Sequence, residues 1–225
     1  MNDLTKRAWS GLLSLLLAIG ALMFLPAWSL AFWQGWVYWL VFSGSVLLIT
    51  IYFLRHDPSL IERRLQAGPA AEKQRSQRVI QLVASIAFCA LFVVAGLDHR
   101  FSWSRVPVAL VGAGDALAGL GFLVVFLVFK ENTYTSSIIE VAGDQTVIST
   151  GPYGLVRHPM YAGALLLLLM TPLALGSWWA LVPVIPLGVA IVWRLLDEER
   201  FLIRSLPGYK AYLEKVSRRL MPGVW

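Results

Sequence analysis

Cysteine occurs once in the 225 residues, at Cys89, and histidine three times, at His56, His99 and His158. A single cysteine excludes an intrachain disulfide or a thiolate metal site. The histidines lie far apart without metal-ligand spacing, so no metal is expected. Cys89 falls inside an apolar run and reads as a buried structural thiol. Charge is sparse as well, at 14% of residues. No Walker loop and no serine nucleophile elbow occur. Gly112, Gly114, Gly119 and Gly121 do not make a dinucleotide loop, because the spacing fails and no strand precedes them. They read as small residues that let helices approach closely.

What the chain has is apolar surface. Hydrophobic residues make up 58%, ten of them Trp. That excess suits a protein whose outside faces lipid. Apolar runs predict six spans, at 9–24, 33–54, 79–97, 106–129, 159–175 and 178–196, the first and fifth short. The expected fold class is therefore all-α, a polytopic membrane helical bundle. One domain over 1–225 is expected, with a four-span half at 1–129 and a second half at 130–225. No cleavage site follows the first apolar run, so it does not resemble a signal peptide.

The basic residues predict orientation. Lys6, Arg7, the cluster at 55–78, Lys130, Arg157 and the tail from Arg194 share one side, while the other carries Arg100 and Arg105. Both termini are thus expected in the cytoplasm. The net charge of +6 then needs no nucleic acid as partner. Trp28, Trp33, Trp36, Trp103, Trp178 and Trp179 gather near span ends on the far side, as an aromatic belt does.

Several segments stand out between spans. Residues 58–66 read as a short interfacial helix, with Leu60, Ile61 and Leu65 on one side and Glu62, Arg63 and Arg64 on the rest. Gly68-Pro69 marks a turn beyond it. Asp115 lies in the fourth span, either close to the far interface or as a costly carboxylate with a role. The polar stretch 130–156 is long for a connector, with a turn at Gly143-Asp144 and an extended piece at 146–148. The tail 197–220 is a charged helix interrupted by Pro207-Gly208, lying on the membrane or folding over the bundle as a lid.

The chemistry concentrates at 151–163, Gly-Pro-Tyr-Gly-Leu-Val-Arg-His-Pro-Met-Tyr-Ala-Gly, where a polar cluster meets an apolar run. An arginine, an imidazole and two phenols at a bilayer entrance are costly without partners. Pro159 starts the helix, and the first-turn N–H groups offer donors for a carboxylate. His158 and Tyr161 can add hydrogen bonds. Arg194 and Glu198, four residues apart, share a helix face and read as a local ion pair or as part of a site.

Gly151-Pro152-Tyr153, Arg157-His158-Pro159-Met160-Tyr161-Ala162-Gly163 and Glu198-Glu199 followed by Leu202 resemble the integral-membrane methyltransferases related to isoprenylcysteine carboxyl methyltransferase and phospholipid N-methyltransferase. Gly208-Tyr209, Tyr212 and the terminal Pro-Gly-Val-Trp also fit, so the resemblance covers about 132–225. It implies S-adenosyl-L-methionine as methyl donor. The family's donor contacts carry over to Gln145, Thr146, Val147, Ile148, Tyr153, His158, Pro159, Met160, Tyr161 and Glu198. Glu140 stands where the family has a glutamine, and Gln145 where it often has a histidine. The acceptor-contacting, catalytic arginine falls on Arg194.

Methyl transfer from a sulfonium needs positioning and dryness rather than a metal or a covalent enzyme intermediate. Arg194 suits an anionic acceptor, and a carboxylate needs no general base, whereas an ammonium must first lose a proton. The expected function is methyl transfer to a lipophilic small-molecule or lipidated acceptor, by O-methylation of an isoprenylcysteine-like carboxylate. The rivals are N-methylation of a phospholipid or other amine, a non-enzymatic transporter or scaffold, and a sterol-type reductase. The active site is expected on the cytoplasmic side.

Overall fold

The computed structural model describes residues 3–66, 70, 72, 75–138, 145–221, 223 and 225. Glu140, Gly68-Pro69 and Gly143-Asp144 lie outside these. The described residues form helices α1 (Asp3–Ala27), α2 (Trp33–His56), α3 (Pro58–Leu65), α4 (Arg75–Phe101), α5 (Val108–Glu131), α6 (Pro159–Ala174), α7 (Val184–Ser205) and α8 (Tyr209–Lys215). Single 3-10 turns occur at Gly151–Gly154 and Trp179–Leu181, and no strand occurs among the described residues. The extended piece expected at 146–148 therefore joins no sheet.

Five helical stretches are long and apolar enough to cross a membrane, namely α1, α2, α4, α5 and Trp179–Ser205. The protein is an integral membrane protein with an all-helical bundle. The first and third expected spans are longer than the apolar runs suggested, and the fifth is short, as expected. α1 runs 25 residues and carries Lys6 and Arg7 within the helix. α6 has only 16 residues, about 24 Å against a hydrocarbon core of about 30 Å. Its C-terminal end closes on Gly176 at φ +69, and the Leu175, Gly176 and Ser177 N–H groups bond back to Thr171, Leu173 and Pro172. That is the usual glycine termination of a helix.

Neighbours run round the bundle in the order α1, α2, α5, α6, α7, α4. Glycine sets the closest approaches. A Cβ on Gly121 would sit 3.0 Å from the Gly163 carbonyl, and one on Gly114 would sit 2.6 Å from the Ala174 nitrogen. Gly96 meets the Met23 carbonyl of α1 in the same way. Gly112 has open space, and a Cβ on Gly119 would meet only Val41 at 4.0 Å, so two of the four glycines noted in α5 serve close packing.

The core is aromatic and apolar, with Ile19, Met23, Phe32, Tyr38, Leu91, Phe92 and Leu175 almost fully buried. Cys89 is exposed, which corrects the expectation of a buried thiol. It lies on a face of α4 that borders a cavity rather than the packed core. The belt tryptophans Trp28, Trp103 and Trp179 are more than half exposed at the far end. Beside them the buried Asp98 accepts from the Ser104 N–H at 2.7 Å and from the Ser104 and Ser177 hydroxyls. That carboxylate ties α4 to the α4–α5 and α6–α7 connections.

At the opposite end, α3 packs inward. Leu60 and Ile61 are buried against Ala8, Phe53 and Phe129. The Asp57 carboxylate caps α3 by accepting the Leu60 N–H at 3.1 Å, and also takes the Ser59 and Thr133 hydroxyls. Arg63 reaches the Thr133 carbonyl at 3.1 Å. α3 thus fastens the 132–138 segment to the bundle.

Candidate active site

One cavity of about 690 Å³ opens among α1, α4, α6 and α7 and reaches the loop and tail side. The space exists because α6 and α7 touch sparingly while each packs firmly on another neighbour, α5 and α4. Its volume falls in the range of small-molecule sites. Gln145, Thr146, Val147, Ile148, Tyr153, His158, Pro159, Met160, Tyr161, Arg194 and Glu198 all line it. The structure thus brings together every described residue that the resemblance names as a donor or acceptor contact. Toward the bilayer the lining turns apolar, with Leu15, Ile19, Phe88, Leu187 and Ile191, and exposed Cys89 at the rim.

The polar end is cross-braced. Tyr161 donates to Glu198 Oε2 at 2.5 Å. Asn132 donates to the Tyr153 hydroxyl at 3.0 Å, and the Tyr212 hydroxyl donates to the Tyr153 carbonyl at 2.8 Å. Burial raises the Tyr153 phenol well above its usual range, and pushes Tyr212 up to about 12. Both therefore stay neutral near pH 7 and serve as hydrogen-bonding groups. Tyr209 also lines this wall, while its hydroxyl is buried and without a hydrogen-bond partner among the described residues.

Glu199, next to Glu198, turns away from the cavity. Its Oε1 stands 2.9 Å from Arg157 Nε and 3.2 Å from His158 Nε2, and its Oε2 accepts from Arg219 at 2.9 Å. The Arg157 and His158 N–H groups donate to the Arg218 and Arg219 carbonyls, each at 2.9 Å. The tail therefore folds back over the bundle. α7 ends at Ser205, Gly208 turns the chain at φ +83, and α8 buries Tyr209 and Tyr212. His158 is held by this network rather than left free.

Arg194 and Glu198 do not form the local pair that their spacing suggested. Arg194 Nη1 donates to Glu72 Oε1 at 2.6 Å and to Gln77 at 3.1 Å, and Nη2 donates to the Ser137 carbonyl at 2.8 Å. Glu72 is 1% exposed and also receives Gln81 at 2.7 Å. Glu198 instead holds Tyr161. A carboxylate from another element, in better geometry and fully desolvated, wins over the neighbour on the same helix. Glu72 carried no sequence signal, since it sits in a segment rich in both charges. Arg64 also lines the cavity, stacked 5.0 Å over Phe129 and bonded to the Ser136 carbonyl. Burial, with repulsion from Arg194, draws its guanidinium down to about 10, so it is still charged near pH 7. Its only hint in the sequence was its place in an amphipathic helix. Asp115 is buried in α5 and does not line the cavity.

No cluster of His, Cys, Asp and Glu able to hold a metal occurs among the described residues. The cavity presents a few charged side chains, neutral phenols and an apolar wall. Residues 110–207 match the phospholipid methyltransferase family. The match spans α5, α6 and α7 and includes most of the cavity's polar wall. It agrees with the resemblance carried by 151–163 and Glu198-Glu199, and it supports membrane methyltransferase activity. No curated protein matches the chain.

Proposed function

We propose that this protein transfers a methyl group from S-adenosyl-L-methionine to a lipophilic acceptor that enters from the bilayer. The observation that carries this reading is the shape of the cavity. Its polar end gathers Tyr153, His158, Tyr161 and Glu198, and its apolar end reaches exposed Leu15 and Cys89 on the lipid side. A polar donor and a lipid-soluble acceptor can thus meet in a single dry chamber. The donor set fits the group. A carboxylate, phenols and flanking guanidiniums match an ammonium, a carboxylate and ribose hydroxyls.

The chemistry supplied by S-adenosylmethionine, when bound, is an electrophilic methyl on a sulfonium. Glu198, braced by Tyr161, holds a cationic group. Tyr153 and the segment 145–148 close one side, and the helix start at Pro159 and Met160 forms the floor. Arg194, fixed through Glu72 and Ser137, orients the acceptor head. Leu168, Leu187 and Ile191 exclude water. The basic residues at the termini and the α2–α4 connection favour a cytoplasmic site.

The preferred acceptor is an isoprenylcysteine-like carboxylate, for which Arg194 is the natural partner. One observation favours the second reading, an amine or phospholipid acceptor. The Arg194 charge is already balanced by Glu72 at 2.6 Å. Transfer of a labelled methyl group from S-adenosylmethionine to a prenylcysteine and to an aminophospholipid, run side by side, separates the two. Label in the prenylcysteine supports the first, and label in the phospholipid alone overturns it. Absence of any thermal shift with S-adenosylhomocysteine overturns donor use altogether.

A further inference from the structure

A second hollow, of about 500 Å³, lies between α2 and α5 and shares no lining residue with the cavity described above. On α2 its lining steps from Ser45 through Leu48 and Tyr52 to Arg55, and on α5 it runs from Gly119 to Phe126. These positions recur three and four apart, so the hollow is a groove along the seam of the two helices. From Ser45 to Arg55 it follows α2 for about 15 Å, half of a hydrocarbon core of about 30 Å. The groove is therefore one leaflet long. Its apolar stretch carries Leu48 and Leu123, 69% and 51% exposed, and its basic end lies where α2 stops at His56. A glycine inside a helix is destabilising relative to alanine. Close packing does not explain Gly119, since an added Cβ would meet only Val41, at 4.0 Å. Its missing side chain leaves the α5 backbone as part of the groove lining.

The basic end has no partner within the chain. Arg55 is exposed and joins no hydrogen bond or ion pair among the described residues. Asp57, two positions on, is already held by the Leu60 N–H and the Ser59 and Thr133 hydroxyls. Tyr52 forms the wall beneath, its ring stacked on His56 at 4.2 Å and edge-on to Phe126 at 5.0 Å. His56 is fixed there by Nδ1, which donates to the Tyr52 carbonyl at 2.8 Å. We propose that this groove binds an anionic phospholipid of the leaflet at the α3 end, its phosphate at Arg55 and one acyl chain along Leu48 and Leu123. A cation at a helix end and an apolar outer face are each ordinary in a membrane protein. Here a glycine-lined groove joins the two, and together they match both halves of a lipid. A guanidinium offers several donors to phosphate oxygens, and with no carboxylate beside it favours a headgroup of net negative charge over a zwitterionic one. The lipid is a structural ligand of the α2–α5 seam rather than a methyl acceptor, because neither Arg194 nor Glu198 lines the groove.

The test is native mass spectrometry of the full-length, detergent-purified protein with added phosphatidylglycerol or phosphatidylcholine. Wild type is expected to retain phosphatidylglycerol about five-fold better than phosphatidylcholine. Arg55→Gln is expected to erase that preference, and Gly119→Leu, which adds bulk on the groove face of α5, to lower retention of both lipids. Arg55→Gln decides the matter alone where Gly119→Leu does not fold, because the arginine side chain is exposed. Equal retention of the two lipids by wild type, an unchanged preference in Arg55→Gln, or undiminished retention in folded Gly119→Leu overturns the proposal. So does a dimer that appears in place of lipid adducts and is lost in Gly119→Leu, since the occupant is then a second copy of the chain.

Discussion

Glu198 and Glu199 are adjacent in sequence and opposite in role. Successive helix positions point about 100° apart, so one carboxylate enters the cavity with Tyr161 while the other joins Arg157, His158 and Arg219. Glu198→Ala is expected to weaken S-adenosylhomocysteine binding strongly while leaving the fold intact. Equal affinity in calorimetry counts against its place in the donor site. Glu199→Ala strips the buried Arg157 of its carboxylate. It is expected to cost about 3 kcal/mol of stability, read as a lower melting temperature. His158→Ala is expected to weaken binding too, through loss of the network that fixes the α6 start. Arg194→Ala is expected to reduce methyl transfer to the acceptor more than donor binding. A parallel loss of both removes the division of labour.

Helix contacts carry the next set of consequences. Gly163 and Gly121 let α5 and α6 meet, and a Cβ on Gly163 would come within 3.0 Å of Val124. Gly163→Val is expected to lower stability by about 1–3 kcal/mol through overpacking. Gly112→Ala, with open space around it, is expected to be neutral or stabilising by up to about 1 kcal/mol. Equal melting temperatures for the two variants would remove the close-approach argument. Asp57 joins α2, α3 and the 132–138 segment. Partial burial opposes ionisation there, but the Ser59, Thr133 and Leu60 bonds and Arg63 outweigh it and lower the carboxyl below 3.8. The group's stabilisation is therefore complete above pH 3.8 and fades as pH falls through the lower folded value. Asp57→Asn is expected to flatten that acid limb of the stability profile, and an unchanged limb argues against the assignment.

At the scale of the whole molecule, the prediction concerns sidedness. With Cys89 replaced by serine, single cysteines at the exposed positions Arg105 and Lys215 report opposite faces of the bundle. A membrane-impermeant maleimide applied to intact cells is expected to label the first and spare the second. The reverse pattern overturns the cytoplasmic site. The helical spans are legible in the apolar runs themselves, because lipid offers no partner for backbone groups and a spanning run must satisfy them internally. The cluster at 151–163 is legible for a similar reason, since polar groups at a bilayer entrance require partners. The exposure of Cys89 is not, as it depends on neighbouring helices.

The sequence by itself determined the membrane-spanning helices, the family resemblance and the residue types of the proposed donor site. Only the tertiary structure decided who pairs with whom. Arg194 bypassed Glu198, four residues away, for Glu72 on the far side of the sequence, because a desolvated partner outcompetes a local one. The same contacts bent the tail over the cavity and buried Tyr209 and Tyr212 of α8. Periodicity and composition act through neighbours along the chain, whereas burial and charge pairing depend on distance in space, which one-dimensional spacing does not contain.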